Sequence, residues 1–325
     1  MKLPDDLTGL ARVAEVPSWA ELNRQWLVAQ IAGLAHRIKT VDSRDAESAD
    51  DPTTFTPALV HCANVFGLSP FERHLLLLVA GLQLDHGLRQ AVAARCPDGS
   101  ARASFGLALE ALPQPHWDAL SPDSPLRHWR MVEPEPGPVL SRAPLQIDER
   151  VLHFLAGVPA NDPQLTSVGK VLEPEREVTG VGEPSLTNLV ARALTAAGDR
   201  AIIVLHGDKS DAAALRDAAL ASIAPLGHPA AWFSANDLPA DAMSVTLLAR
   251  HIDREAALTG IFPIFAAEGD HAVRTATGLV ARLHSPCLWL GSPGNELSAL
   301  PRTARVLRFE LPAPSPQRTR ERLLA

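Results

Sequence analysis

The chain has 325 residues, with 46% apolar and 21% charged side chains, which excludes a wholly disordered polymer. Its 30 basic residues face 37 acidic ones, a formal net charge of −7. That balance argues against a general polyanion binder, which needs clustered Lys and Arg. The length is that of about two domains. Cys62, Cys96 and Cys287 are odd in number and far apart, so they read as small buried thiols and not as a disulfide framework or metal knuckle. The longest apolar run, Leu75 to Leu82, is too short to span a bilayer, and no basic start with an apolar run marks a leader. The expectation is a soluble cytoplasmic protein.

In chain order, SWAELNRQWLVAQIAGLAHRIKT from Ser18 predicts a helix capped by Ser18. Its expected core face is Trp19, Leu22, Trp26, Ala29 and Ala32 or Gly33. An acidic stretch, residues 42–54, reads as a linker after this N-terminal helical part (1–41). Between residues 55 and 157, helices are expected at 57–66, 70–82, 85–95 and 104–112. Alternation then predicts one strand at 126–132 and another at 139–146, joined by the turn EPEPGP. A helix over 147–156 follows, with Gly157 just past its end. Helices followed by a hairpin and a closing helix suggest a winged-helix arrangement. Residues 158–184, rich in Pro and Gly, read as an irregular interdomain connection.

Residues 185–325 alternate strand and helix. Helices are expected at 185–197, 210–223, 241–258 and 271–284, and strands at 201–206, 230–234, 261–267, 287–290 and 306–311. Such βα repetition predicts a parallel sheet covered on both faces, with ligands beyond the carboxyl ends of its strands.

At the first βα junction, Gly207-Asp208-Lys209-Ser210-Asp211 invites comparison with a phosphate loop, whose pattern is G-x-x-x-x-G-K-[ST]. Lys209 follows Gly207 by two residues instead of six, and the second glycine is missing. Asp208 and Asp211 put carboxylates where phosphate oxygens belong. The partner acid should end a later apolar strand and hold Mg²⁺. After Ile261–Phe265, however, the chain runs Ala266-Ala267 before Glu268, Gly269 and Asp270. Both halves of the machinery are altered. Gly291-Ser292-Pro293-Gly294 lacks the G-x-S-x-G elbow, and Gly180-Val181-Gly182 does not follow a strand. The 12 histidines are scattered and read as ordinary surface or core residues. No catalytic or metal-ligating set emerges.

If residues 102–112 formed a recognition helix, only Arg102 would supply a base, against Glu110. The hairpin offers Arg127, Arg130 and Arg142 as possible phosphate contacts. A sequence-reading DNA contact is not supported, and a protein-docking role is favoured.

Several motifs occur in series: FGLSPFERHLLLL from Phe66, AGLQLD from Ala80, LPQPHWDALSP from Leu112, PLRHWR from Pro125, and APLQIDERVLHFLAG from Ala143. Together they resemble the variant winged-helix domain at the N-terminus of certain bacterial AAA+ ATPases, including ones encoded with phage-tail-like contractile injection systems. In that family a degenerate AAA+ module follows, and residues 185–325 are similar to it. SANDLP from Ser234 resembles the segment after its second strand. Residues 300–320 resemble the stretch with arginine fingers, which implies trans-acting roles for Arg302 and Arg305. The chain stops at Ala325, inside what resembles the first lid helix.

The resemblance implies an α/β chain: a mainly helical winged-helix domain, then a parallel-sheet, P-loop-NTPase-like module. It implies protein partners, self-assembly into a ring or injection-system components among them, and no membrane. No cofactor is expected. In the alternative reading, ATP with Mg²⁺ binds through Gly207, Lys209, Ser210 and Glu268, and hydrolysis proceeds in a ring. A third reading is a winged-helix DNA-binding regulator.

Overall fold

The computed structural model describes residues 17–40, 54–96, 98–177, 184–196, 200–207, 212–267, 269–291 and 304–311. It divides into two compact units. The first comprises Met1–Asn64, Leu68–Leu126 and Met131–Pro159; the second comprises Val65–Gly67, Arg127–Arg130 and Ala160–Ala325.

The first unit is built on helices α1 (Trp19–Thr40), α2 (Ala58–Phe66), α3 (Pro70–Leu84), α4 (His86–Arg95) and α5 (Phe105–Ala111). Their starts follow from capping chemistry. Ser69 accepts from the Glu72 backbone while Glu72 reaches back to the Ser69 N–H, and Pro70 occupies the first helical position. Asp85 and Ser104 cap α4 and α5 by accepting from the Leu88 and Leu107 N–H groups. Helix α3 is buried almost throughout, Phe71 and Leu75 to Val79 included.

Helix α1 has the expected limits but not the expected inner face. Leu27, Ile31, Leu34, Ala35 and Ile38 are buried, whereas Trp19 is 45% exposed and Ala29, Ala32 and Gly33 face outward. The branched aliphatic stripe fills the core, and buried Asn23 extends it. The Asn23 amide donates to the Leu155 carbonyl (2.9 Å) and its oxygen accepts from the Ala58 N–H (2.8 Å). A leucine at this position would strand two buried backbone groups. We expect Asn23→Leu to cost about 2–3 kcal/mol in urea unfolding, and a loss under about 0.5 kcal/mol would contradict the bridge.

After α5 the expected strand at 126–132 is not formed. Ser124-Pro125 opens a helical turn, α6 (Pro125–His128), and Arg130 adopts a left-handed φ of +52° that ends it. Extended pairing therefore begins only at β1 (Val132–Pro134), against β2 (Leu145–Ile147). The expected strand at 139–146 is shortened because Leu140–Arg142 form a 3₁₀ turn and Pro144 lacks an N–H. Helix α7 (Glu149–Leu155), capped by Asp148, ends at Gly157 with φ +70°. Cys62 is buried as expected, but Cys96 is only half-buried.

The second unit begins inside the stretch expected to be irregular. It holds α8 (Pro163–Val168), β3 (Gly169–Leu172) and α9 (Pro174–Glu177). Gly169 marks close packing: a Cβ there would stand 2.6 Å from the Phe233 ring. Then follow α10 (Pro184–Ala196), β4 (Ala201–His206), α11 (Ala212–Ile223), β5 (Ala230–Ser234), α12 (Ala242–Thr259), β6 (Phe262–Ala266), α13 (Asp270–Val280), β7 (Cys287–Leu290) and β8 (Arg305–Glu310).

The sheet order is β3-β5-β6-β7-β4-β8. All neighbours are parallel except the edge strand β3, which runs antiparallel to β5. The fully buried strands read as continuous apolar runs because both faces are covered. Residues of α10 and α11 pack with Ile203, Leu205 and Ile264 on one face. Residues of α12 and α13 pack with Val204, Phe233, Phe265 and Trp289 on the other. Among the described residues, no helix is long and apolar enough to cross a membrane.

Candidate functional site

The helices that flank β4 in sequence, α10 and α11, cover one face. Those joining β5, β6 and β7 cover the opposite one. The changeover falls between β4 and β7, and ligands of open α/β sheets collect beyond the carboxyl ends of strands at such a point. The residues there are Gly207, Ala266, Ala267 and Gly291. Leu311 lies against this end: its N–H donates to the His206 carbonyl (2.7 Å), and a Cβ on Gly207 would meet the Leu311 Cβ at 3.3 Å.

Ala267 is 3% exposed, and its carbonyl would stand 2.9 Å from a Cβ on Gly291, whose φ is +107°. The Gly291 N–H donates to the Leu205 carbonyl (2.9 Å), drawing the ends of β4 and β7 together. Apolar groups therefore stand where a carboxylate at the end of β6 would meet a nucleotide-bound Mg²⁺. Among the described residues, the methyl groups of Ala266 and Ala267 and the Leu311 side chain offer no ligand to that metal–phosphate chemistry. Lys209, Ser210, Glu268 and Arg302 lie outside the described residues. Arg305 is exposed at the amino end of β8, beside Ala201, at the opposite end of the strand from Gly207.

In the first unit, Ser104 forms an antiparallel bridge to Pro144, and the Leu145 N–H donates to the Ala103 carbonyl (2.9 Å). A single antiparallel bridge thus precedes α5. Between α5 and the β1–β2 hairpin lie the 3₁₀ turn Trp117–Leu120 and α6. Arg142 is exposed on the wing. Arg127 and Arg130 are half-buried and group with the second unit.

The second unit also contains charged clusters that periodicity did not reveal. In α12 the run His251-Ile252-Asp253-Arg254-Glu255 is buried in full. Asp162 caps α8 with one oxygen, accepting from the Gln164 N–H at 2.8 Å. Its other oxygen takes His251 Nδ1 and Arg254 Nη2, each at 2.9 Å. Burial would raise the Asp162 carboxyl; the His251 hydrogen bond and the nearby His251 and Arg254 charges outweigh it and hold the group at about 2.

Asp253 accepts from the His284 and Ser285 N–H groups (2.8–3.0 Å) and from the Ser285 hydroxyl (2.7 Å). Serine, histidine and aspartate do meet here. Both partners bind the carboxylate, however, and the Ser285 proton goes to Asp253, so the set fastens the turn before β7 and does not form a relay. The neighbouring Cys287 thiol is pushed up by burial and by Asp253, which makes it inert. Among the described residues, no group of histidine, cysteine and acidic side chains is arranged to hold a metal ion. A signal for these clusters existed only in hindsight: acidic residues sit at helix starts, and charged residues fall on the inner face of an amphipathic pattern.

Comparison with known families gives one finding for this chain: the model described as "Winged helix domain, variant" matches residues 14–168. A search of curated proteins finds no match. The matched span runs past Gly157 to the end of α8, so it takes in Asp162. Residues 14–168 carry a variant winged-helix domain.

Proposed function

We propose that the chain is the regulatory and assembly portion of an AAA+-like protein. In this reading the winged-helix domain docks a protein partner, and the α/β unit serves as a nucleotide-site-deficient AAA+ module. The machine is a bacterial contractile injection system or a similar assembly in the cytoplasm. Its partners are proteins, further copies in a ring among them, and neither sequence-specific DNA nor a membrane is required.

The observation that carries the reading is the apolar closure at the carboxyl end of the sheet. Ala266 ends β6 and Ala267 follows it where an acidic pair would be needed, and Leu311 closes on Gly207. The sheet itself supports the α/β half, since its changeover point is where nucleotide-binding-like sheets place their ligand. On the winged-helix side, the helical segment before the wing carries half-buried arginines, which favours docking over groove insertion.

A thermal melt with and without Mg-ATP tests this. A ligand that binds only the native state raises its apparent stability by RT ln(1 + [L]/Kd). The expected result at about 1 mM nucleotide is an unchanged midpoint, and a rise of several degrees would replace this reading with the active-ATPase one.

A further inference from the structure

On the far side of the sheet from β8, a cleft of about 500 Å³ opens at the carboxyl end of β5. Lys170 of β3 stands directly opposite Trp232 of β5 in the antiparallel register, so the two share a face. The Arg216 guanidinium from α11 lies 5.7 Å from the Trp232 ring centroid. Two cationic side chains thus flank one half-exposed indole, in a chain whose net charge is −7.

The other wall has the opposite character. Ser167 donates its hydroxyl proton to the Gln164 carbonyl (2.8 Å), and Thr166 donates to the Asp162 carbonyl (3.3 Å). With those protons engaged, both hydroxyls present lone pairs. Asp237, held in the turn after β5 by its N–H bond to the Ser234 carbonyl (3.0 Å), adds a carboxylate.

A ligand that suits this cleft needs an anionic group for Lys170 and Arg216 and a flat C–H face for Trp232. It also needs several hydroxyl donors for Asp237, Ser167 and Thr166. We propose that the cleft binds a phosphorylated sugar. Phosphate is an anion that arginine engages through its planar fork and lysine as a point charge. The volume lies within the range of small-molecule sites. The cleft uses β3 and β5, three strands and more from the β4 loop, so it stands apart from the nucleotide question.

The test is isothermal titration of the whole chain with ribose 5-phosphate, with ribose and inorganic phosphate as separate probes. Saturable binding of ribose 5-phosphate is expected, together with weaker binding of either half. Lys170→Ala, at an exposed position, should weaken it at least about tenfold. Trp232→Phe should remove the accompanying change in tryptophan fluorescence. The melt of Lys170→Ala with Mg-ATP should match that of the parent, so the two readings can fail independently. Absence of saturable binding at about 10 mM, or equal affinity in Lys170→Ala, would overturn the proposal. Inorganic phosphate binding as tightly as the sugar phosphate would overturn its sugar component.

Discussion

Replacing Arg254 by methionine is expected to destabilise the second unit by about 3–5 kcal/mol, read as a lower urea midpoint. Arg254 is 1% exposed, and its Nη2 holds the Asp162 carboxylate at 2.9 Å. Its Nη1 donates to the Trp129 and Arg130 carbonyls at 3.3 Å. Methionine matches its length but removes the charge, leaving Asp162 buried beside His251 alone. Most of the loss is the cost of that uncompensated carboxylate, not the worth of the pair itself. Asp162→Asn combined with Arg254→Met should therefore recover part of the deficit, because the asparagine retains the α8 cap. A loss below about 1 kcal/mol for the single change would remove the cluster from the stabilising interactions.

The same carboxylate gives the protein an acid limit. Its folded-state value of about 2 lies below the ordinary 3.8, so the stabilisation is fully present above that ordinary value. It is lost as pH falls from 3.8 toward 2, as the unfolded chain takes up the proton first. The difference corresponds to about 2 kcal/mol, and Asp162→Asn should flatten this segment of the stability curve.

Phe233→Ala is the second large effect. Phe233 is fully buried, stacks on Phe265 with ring centroids 5.3 Å apart, and lies beneath Gly169 of the edge strand. Truncation leaves a cavity in the middle of the sheet's α12–α13 face, at a cost of about 3–5 kcal/mol. Phe233→Leu should cost clearly less, since it refills most of the volume. Equal losses for the two would mean that the site collapses around the smaller side chain. The alanine variant should also loosen β3, which hydrogen exchange at Val171 and Leu172 would report.

Local chemistry made much of this chain legible. The capping box at Ser69 and Glu72, Pro70 at the helix start, and Gly157 just past α7 are signals within four residues of the element they mark. The continuous apolar runs of β4, β6 and β7 announced a sheet covered on both faces for the same reason. The altered loop after β4 and the alanines at the end of β6 were equally plain, because spacing in the chain is enough to judge them.

The readings that failed depended on which neighbour a residue would meet. Helix α1 carries two apolar stripes, and only packing selected the one containing Leu27, Ile31, Leu34 and Ile38. The alternation at 126–132 imitated a strand until Pro125 and the left-handed Arg130 reserved those residues for a helical turn. Residues 158–184 read as irregular, yet Gly169 among them makes the close approach that seats β3 on Phe233.

By itself the sequence determined the helices with local caps, the apolar strands of a two-faced sheet, and the absence of a standard phosphate-loop spacing. Those depend on residues near one another in the chain. Tertiary structure alone decided that Asp162 would neutralise Arg254 from 92 positions away. It alone put Lys170 opposite Trp232 and brought Asp253 to His284 and Ser285. A charge in sequence carries no partner; desolvation in the folded core selects the partner and sets the energy of the pair.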